Sequence, residues 1–289
     1  MLRAIIKTMR PRQWTKNVFV LAALVFDLKL REPDLVIRSL AGFLIFCLLS
    51  SSVYIVNDIL DAQSDRKHPL KRNRPIASGR LPIPVAIIVA VGLVLFTLTT
   101  SYLLSFGFFI ISAIYLLQNL VYSIWLKHVV IIDVLLIAAG FVLRVAAGVS
   151  LISVERFSPW LYVCMTLLAL YLGFGKRRAE LAMLTGDTTG TRKVLEGYTI
   201  PFLDTIITIV STATIIAYSL YTFSAPNVPA NHTMMLTIPF VMYAIFRYLY
   251  MVQVKQQGGA PEEMILTDRP LQISVVLWGV AVLLIFYIG

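Results

Sequence analysis

The sequence predicts an all-α membrane protein of nine transmembrane helices, and three observations carry that expectation. The mean hydropathy is +0.83. Hydrophobic residues make up 58% of the 289 positions against 14% charged ones, and apolar stretches recur at the roughly 20-residue length a bilayer requires. The charged residues, finally, gather in a few links between those stretches.

Taken in order, the first span is 14–30, where Lys16 and Asn17 at one end and Asp27, Lys29 and Arg31 at the other leave a short apolar centre. A short or tilted crossing is expected there. Span 36–57 then runs unbroken into Asn57 and Asp58, and the charged link 57–81 separates it from spans 82–104 and 106–125. Lys127 and His128 mark the turn into 129–150, and span 158–175 ends at Lys176, Arg177 and Arg178. After the link 176–199 come 200–223, an uncharged connection around Pro226 to Asn231, span 233–254, the link 255–269 and span 270–288. No linker or low-complexity tract divides the chain, which reads as a single domain, 1–289.

Short cytoplasmic loops collect Lys and Arg. With the N-terminus inside, all of the 25 such residues except Lys29, Arg31, Arg38, Arg144 and Arg156 fall on one face. The pattern predicts a multi-pass protein of the inner (plasma) membrane with a cytoplasmic N-terminus. Because the long charged links all lie on that face, the active site is expected on the cytoplasmic side. The net charge of +10 then reads as a topology signal and an attraction for anionic membrane lipids or substrates, not as nucleic-acid binding. Assembly as a homo-oligomer is compatible with the sequence.

Met1 to Lys16 is basic and has no small-residue cleavage site ahead of a short apolar core, so a cleaved signal is not expected. Cys47 and Cys164 fall within apolar spans and read as small core residues. His68, His128 and His232 occupy three separate loops without zinc-site spacing, so no transition metal is expected.

Asp58, Asp61 and Asp65 form the most telling cluster, spaced i, i+3, i+7 directly after an apolar span. On one helix, at about 100° per residue, all three share a face and repel one another. A hard divalent cation with a polyphosphate on its far side removes that repulsion, since Mg²⁺ favours one or two carboxylates plus phosphate oxygens and water. Arg66, Arg72 and Arg74 nearby suit the same anion.

A second cluster, Lys176, Arg177 and Glu180, lies at the end of span 158–175. Two readings stand here: an ordinary solvated i, i+4 ion pair between Lys176 and Glu180, or a phosphate grip by Lys176 and Arg177 with Glu180 orienting a hydroxyl, a lysine or a metal-bound water. The third constellation is Tyr122, Ser123 and Lys127 with Asp133 and Arg144, the last two eleven residues apart and so nearly on one face. An intramembrane Arg is expensive and marks a functional or a paired residue. Tyr122 also fits an interfacial aromatic belt.

Asn57-Asp58-x-x-Asp61-x-x-x-Asp65, Arg74-Pro75-Ile76-x-x-Gly79, Tyr122-Ser123 with Lys127, and Arg10-Pro11-x-Gln13-Trp14-x-Lys16-Asn17 together resemble the UbiA-type intramembrane prenyltransferase superfamily, over essentially the whole chain. The resemblance implies nine helices in a ring around a central cavity, a lateral opening for a lipid tail, and a polar cap holding Mg²⁺ and a diphosphate. One departure is informative. Where the superfamily usually carries a second aspartate-rich motif, this chain has Gly175-Lys176-Arg177-x-x-Glu180-Leu181. With Pro261-Glu262-x-x-x-Leu266-x-Asp268-Arg269, this variant is similar to the branch that transfers 5-phosphoribose from phosphoribosyl pyrophosphate (PRPP) to decaprenyl phosphate. That branch feeds decaprenylphosphoryl-arabinose and cell-envelope polysaccharide synthesis. Replacing an acidic cluster by a basic one changes the local demand from cations to anions, which suits a reaction with three phosphoryl moieties.

On that resemblance, Asn57, Asp58, Asp61 and Asp65 would bind Mg²⁺ on the diphosphate of PRPP. Lys16, Lys127 and Arg144 would hold the polyprenyl phosphate, beside Asn17, Tyr122 and Asp133. Arg66, Arg72, Arg74, Lys176 and Arg177 would hold the phosphates of PRPP, and Glu180 and Asp268 ribose hydroxyls. The alternative with the same fold is an aromatic prenyltransferase of quinone, haem or chlorophyll biosynthesis, in which the acidic motif binds a polyprenyl diphosphate. A transporter fits less well, because the charges crowd into loops instead of the bilayer midplane.

Overall fold

The computed structural model of the chain describes residues 1–67, 71–152, 158–183, 193–256, 264–265 and 267–288. His68, Arg156, Arg192, Pro261, Glu262 and Leu266 lie outside them, as does the side chain of Lys193. The described residues form helices and turns without a strand: α1 (Leu2–Met9), a 3-10 segment (Pro11–Leu21), α2 (Ala22–Phe26), α3 (Pro33–Leu60), α4 (Ala62–Lys67), α5 (Ile83–Leu104), α6 (Phe106–Ile124), α7 (Ile132–Val149), α8 (Pro159–Ala182), α9 (Ile200–Ser224), α10 (Ile238–Gln253) and α11 (Arg269–Tyr287).

Proline opens most of the long helices, at Pro33, Pro84, Pro159, Pro201, Pro239 and Pro270. Its fixed φ suits the first turn, where its missing N–H is no loss. Thr199 and Asp268 cap α9 and α11, accepting the amides of Phe202 at 3.3 Å and Leu271 at 2.9 Å.

Eight described helices are long and apolar enough to cross a bilayer. The span expected at 14–30 differs in kind: its residues form the 3-10 segment and the five-residue α2. The tighter 3-10 coil rises about 2.0 Å per residue, so the two pieces together reach about 30 Å, the thickness of a hydrocarbon core. Packing holds this uncommonly long 3-10 run, because it lies against α3 and α7. A Cβ at Gly148 of α7 would stand 2.0 Å from the Val20 carbonyl oxygen, so only glycine permits the approach.

Successive long helices touch in turn, α3 with α5, α5 with α6 and so on to α10 with α11. The circuit closes where α11 returns to the first segment. Phe26 meets Phe286 edge-on at 6.1 Å, Tyr287 Oη donates to the Val25 carbonyl at 3.1 Å, and Arg31 donates to the Tyr287 carbonyl at 2.6 Å. Ile88, Leu95, Leu103, Leu117, Ile209 and Val276 point outward and exposed. A belt of apolar side chains on this scale is what a lipid environment covers.

Candidate active site

The acidic run sits where α3 ends and α4 begins, with Asp61 as the hinge. Backbone bonds from Asp61 N to the Asn57 carbonyl and from Asp65 N to the Asp61 carbonyl keep helical spacing across the break. The three carboxylates nevertheless divide. Asp58, only 2% exposed, accepts from Arg10 Nη2 at 2.5 Å and Arg74 Nη1 at 3.2 Å, and the same Arg74 nitrogen reaches Asp65 Oδ2 at 2.7 Å. Asp61 turns instead to Lys127 Nζ at 2.7 Å. Basic side chains from three links thus balance the expected repulsion, and among the described residues no three acidic, His or Cys side chains converge as a metal-ligand group.

A pocket of about 260 Å³ opens here, lined by Lys7, Arg10, Asp58, Asn73, Arg74 and Pro75. Arg10 reaches it through an unusual backbone. It links α1 to the 3-10 segment at φ 55°, a left-handed conformation uncommon for a side-chain-bearing residue, and its guanidinium also lies over the Tyr54 ring at 5.0 Å. Arg66 donates to the Ala77 carbonyl at 3.2 Å, and Arg72 is exposed on the same link.

The second constellation folds inward. Glycines 173 and 175 let α8 press against its neighbours, since a Cβ at either would stand 2.6 Å from Val134 or from the Tyr248 hydroxyl. One turn later Arg177 is buried: Nε meets Asp133 Oδ2 and Nη1 meets Glu180 Oε2, each at 2.6 Å. Asp133 also accepts from Tyr198 Oη at 2.7 Å, and that hydroxyl takes the Ile131 amide at 2.7 Å. Burial and the bond to Asp133 push the Tyr198 phenol well above its ordinary pKa, so it remains a donor at any working pH. Tyr122 lies close enough to Arg177 to interact electrostatically. Lys176 and Glu180 are half-buried at the same helix end.

Arg144 lies apart from both clusters. Its Nε donates to Asn17 Oδ1 at 2.8 Å, Nη1 to the Gly140 carbonyl at 2.7 Å and Nη2 to Tyr115 Oη at 2.8 Å, with the Tyr115 and Phe141 rings beneath it. Asn17 is fully buried and bonded to Ser50 as well. Asp133 and Arg144, close on the helical wheel of α7, therefore serve different networks. Lys16 is half-buried on the 3-10 segment. Asp268 caps α11 and receives Arg247 at both oxygens, at 3.1 and 2.8 Å. Cys47 is a buried free thiol and Cys164 a half-buried one.

Reading by spacing missed Arg10, Lys7, Asn73, Tyr115 and Tyr198. Arg10 stood in the Arg10-Pro11 motif, but nothing in the chain order joins it to a carboxylate 48 residues on. Tyr198 has no signal at all, because only the packing of its loop brings it to Asp133.

A closed bundle of apolar helices with an acidic and basic cap on one end is the architecture of an intramembrane prenyltransferase. A solved UbiA homolog from Archaeoglobus fulgidus bound to GPP and Mg²⁺ superposes with a TM-score of 0.74 at 19% identity, covering 97% of this chain and 99% of that one. The UbiA prenyltransferase family matches residues 18–266, and the chain belongs to that family. Among its relatives, the decaprenyl-phosphate phosphoribosyltransferase of Mycolicibacterium smegmatis is 35% identical over 96% of this chain and 91% of its own length. That of Corynebacterium glutamicum is 35% identical over 98% and 86%.

Proposed function

We propose that the chain, acting as one domain, transfers 5-phosphoribose from PRPP to a polyprenyl phosphate of the decaprenyl class and releases pyrophosphate. The observation that carries this reading is the 35% identity to decaprenyl-phosphate phosphoribosyltransferases across nearly the full chain. The basic character of the α8 end, where Lys176, Arg177 and Arg178 follow one another, supports it chemically. The protein spans the membrane many times. We infer that its site faces the cytoplasm of the plasma membrane, a reading supported by the concentration of Lys and Arg in the charged links.

Asp58 and Asp65 fit a Mg²⁺ ion. One Arg74 nitrogen touches both carboxylates, so a single position already serves a cation shared between them. Asn57 and Asp61 complete the polar rim, with Lys127 holding Asp61. When bound, the metal supplies Lewis-acid neutralisation of the departing pyrophosphate.

The residues of the chain do the rest. Arg74, once turned from the carboxylates, meets the diphosphate in bidentate fashion, as guanidinium suits, and Arg66, Arg72 and Lys176 extend the anion path. Glu180, fixed by Arg177, accepts a ribose hydroxyl. An oxygen of the lipid phosphate forms the new bond to ribose C1 as the C1–diphosphate bond breaks and its electron pair leaves with pyrophosphate. A phosphate monoester is largely dianionic at neutral pH, its second pKa being about 6, so no protein base is needed. Arg144, Asn17, Asp133 and Asp268 serve as supports, because the protein already occupies their polar atoms; Arg177, beside Tyr122, is held by Asp133 and Glu180 but keeps a buried Nη2 without a hydrogen-bond partner among the described residues.

Purified protein in detergent with Mg²⁺ tests the reading when offered either PRPP plus decaprenyl phosphate or 4-hydroxybenzoate plus a polyprenyl diphosphate. Phosphoribosyl lipid in the first mixture alone is expected. Prenylated hydroxybenzoate in the second would replace the reading with an aromatic prenyltransferase.

A further inference from the structure

Lys7 is the charged residue of the Asp58 pocket whose ammonium has no partner among the described residues. Arg10 and Arg74 bind Asp58, whereas Lys7 lines the same space unpaired. The lining sets Lys7, Arg10 and Arg74 against the Asp58 carboxylate, and Asp65, which shares Arg74 from behind the lining, offsets a second charge, so the surplus is the charge of Lys7. A pocket with a surplus cation attracts an anion, and the oxygens of a phosphate monoester match the ammonium and guanidinium donors.

The position of α1 narrows the source. Ala4, Ile5 and Met9 pack on the cluster around Ile55, Ile76 and Leu81, and Thr8 is buried with them. Leu2 and Ile6, four residues apart, form a separate apolar stripe, 71% and 47% exposed, and Arg3 and Lys7 form a basic stripe beside it. A helix with one face on the protein, one apolar stripe outward and cations alongside lies in the headgroup region of a bilayer. Lys7 thus stands where the surface of the membrane meets the pocket. A lipid phosphate is delivered at that depth, its tail passing along Leu2 and Ile6 into the apolar layer.

We propose that Lys7, with Arg10 beside it, forms the subsite for the phosphate of the polyprenyl acceptor, so that α1 is the lipid-presenting wall of the site. This rests on the function proposed above. The left-handed backbone at Arg10 fits the assignment: strain of that kind persists where the surroundings hold it, and here it turns the guanidinium into the pocket directly after α1. Phosphate arriving between Lys7 and Arg10 also draws Arg10 off Asp58, freeing that carboxylate as the acceptor binds.

The test is calorimetric titration of the full-length protein in detergent with two separate probes, farnesyl phosphate and Mg²⁺–PRPP, comparing wild type, Lys7→Ala and Lys7→Arg. Loss of one charge-assisted contact predicts farnesyl phosphate binding about tenfold weaker in Lys7→Ala, PRPP binding unchanged, and most of the loss restored in Lys7→Arg. In turnover the KM for decaprenyl phosphate should rise by a similar factor while that for PRPP holds. Weakened PRPP binding, with or without a lipid effect, or no change in either probe, overturns the subsite. Wild type that binds farnesyl phosphate in a Lys7-dependent way yet makes no phosphoribosyl lipid would instead refute the proposed reaction and leave the subsite standing.

Discussion

Arg177 Nε stands 2.6 Å from Asp133 Oδ2, with the two side chains 1% and 0% exposed. The pair joins α8 to α7 and, through Tyr198, to the turn at Ile131, a β-branched residue held at φ 70°. Four residues before that turn is Lys127, the partner of Asp61. A structural pair buried in the bundle therefore orders both ends of the site.

Removing one member of a buried ion pair leaves the other charge without compensation, at a cost of roughly 3–5 kcal/mol. Asp133→Ala should accordingly lower the thermal midpoint sharply, and Asp133→Asn, which keeps a hydrogen-bond acceptor for Arg177, should lower it less. Equal midpoints for Asp133→Ala and wild type in a detergent melt would show that the pair is dispensable.

Asp58→Asn removes the charge shared by Arg10 and Arg74 while preserving shape. Turnover should fall by at least about 100-fold, on the scale of a lost electrostatic contact in an active site, and Mg²⁺ titration should no longer stimulate what remains. Near wild-type rates with intact Mg²⁺ response would displace Asp58 from the metal site.

Gly148→Ala places a methyl against the immovable carbonyl of Val20, at 2.0 Å before any relaxation. Overpacking of this kind costs about 1–3 kcal/mol. The variant should melt at lower temperature than wild type, and a melt with no shift would mean that the 3-10 segment is free to move away from α7.

The hydrogen bonds from Arg247 hold the Asp268 carboxyl below its ordinary range. A carboxylate with a depressed folded pKa contributes stability in full above its unfolded value, about 4, and loses it as pH falls through the lower folded value. The midpoint gap between wild type and Asp268→Asn should therefore be widest near neutrality and close below about pH 4. A gap that stays constant across that interval would exclude the ion pair as its source.

Much of the fold was legible from local chemistry. Apolar length alone marks the eight long spans, prolines mark where most begin, and the jump from apolar to charged residues at Asn57 and at Lys176 marks the ends that carry polar work. The 3-10 form of the first segment was not legible, because it depends on how closely α7 allows Val20 to approach Gly148. Nor was the fate of the aspartates: spacing placed Asp58, Asp61 and Asp65 on one face, but which cation each meets is set by Arg10, Arg74 and Lys127, which arrive from distant links.

Chain order by itself determined that this is a multi-pass helical protein with an acidic link and a basic link, because hydrophobic length and charge density act over one helix at a time. Only the tertiary structure decided the partners. It gave Arg177 to Asp133 and Arg144 to Asn17 and Tyr115, since a buried charge must be satisfied by whatever polar group packing brings within about 3 Å.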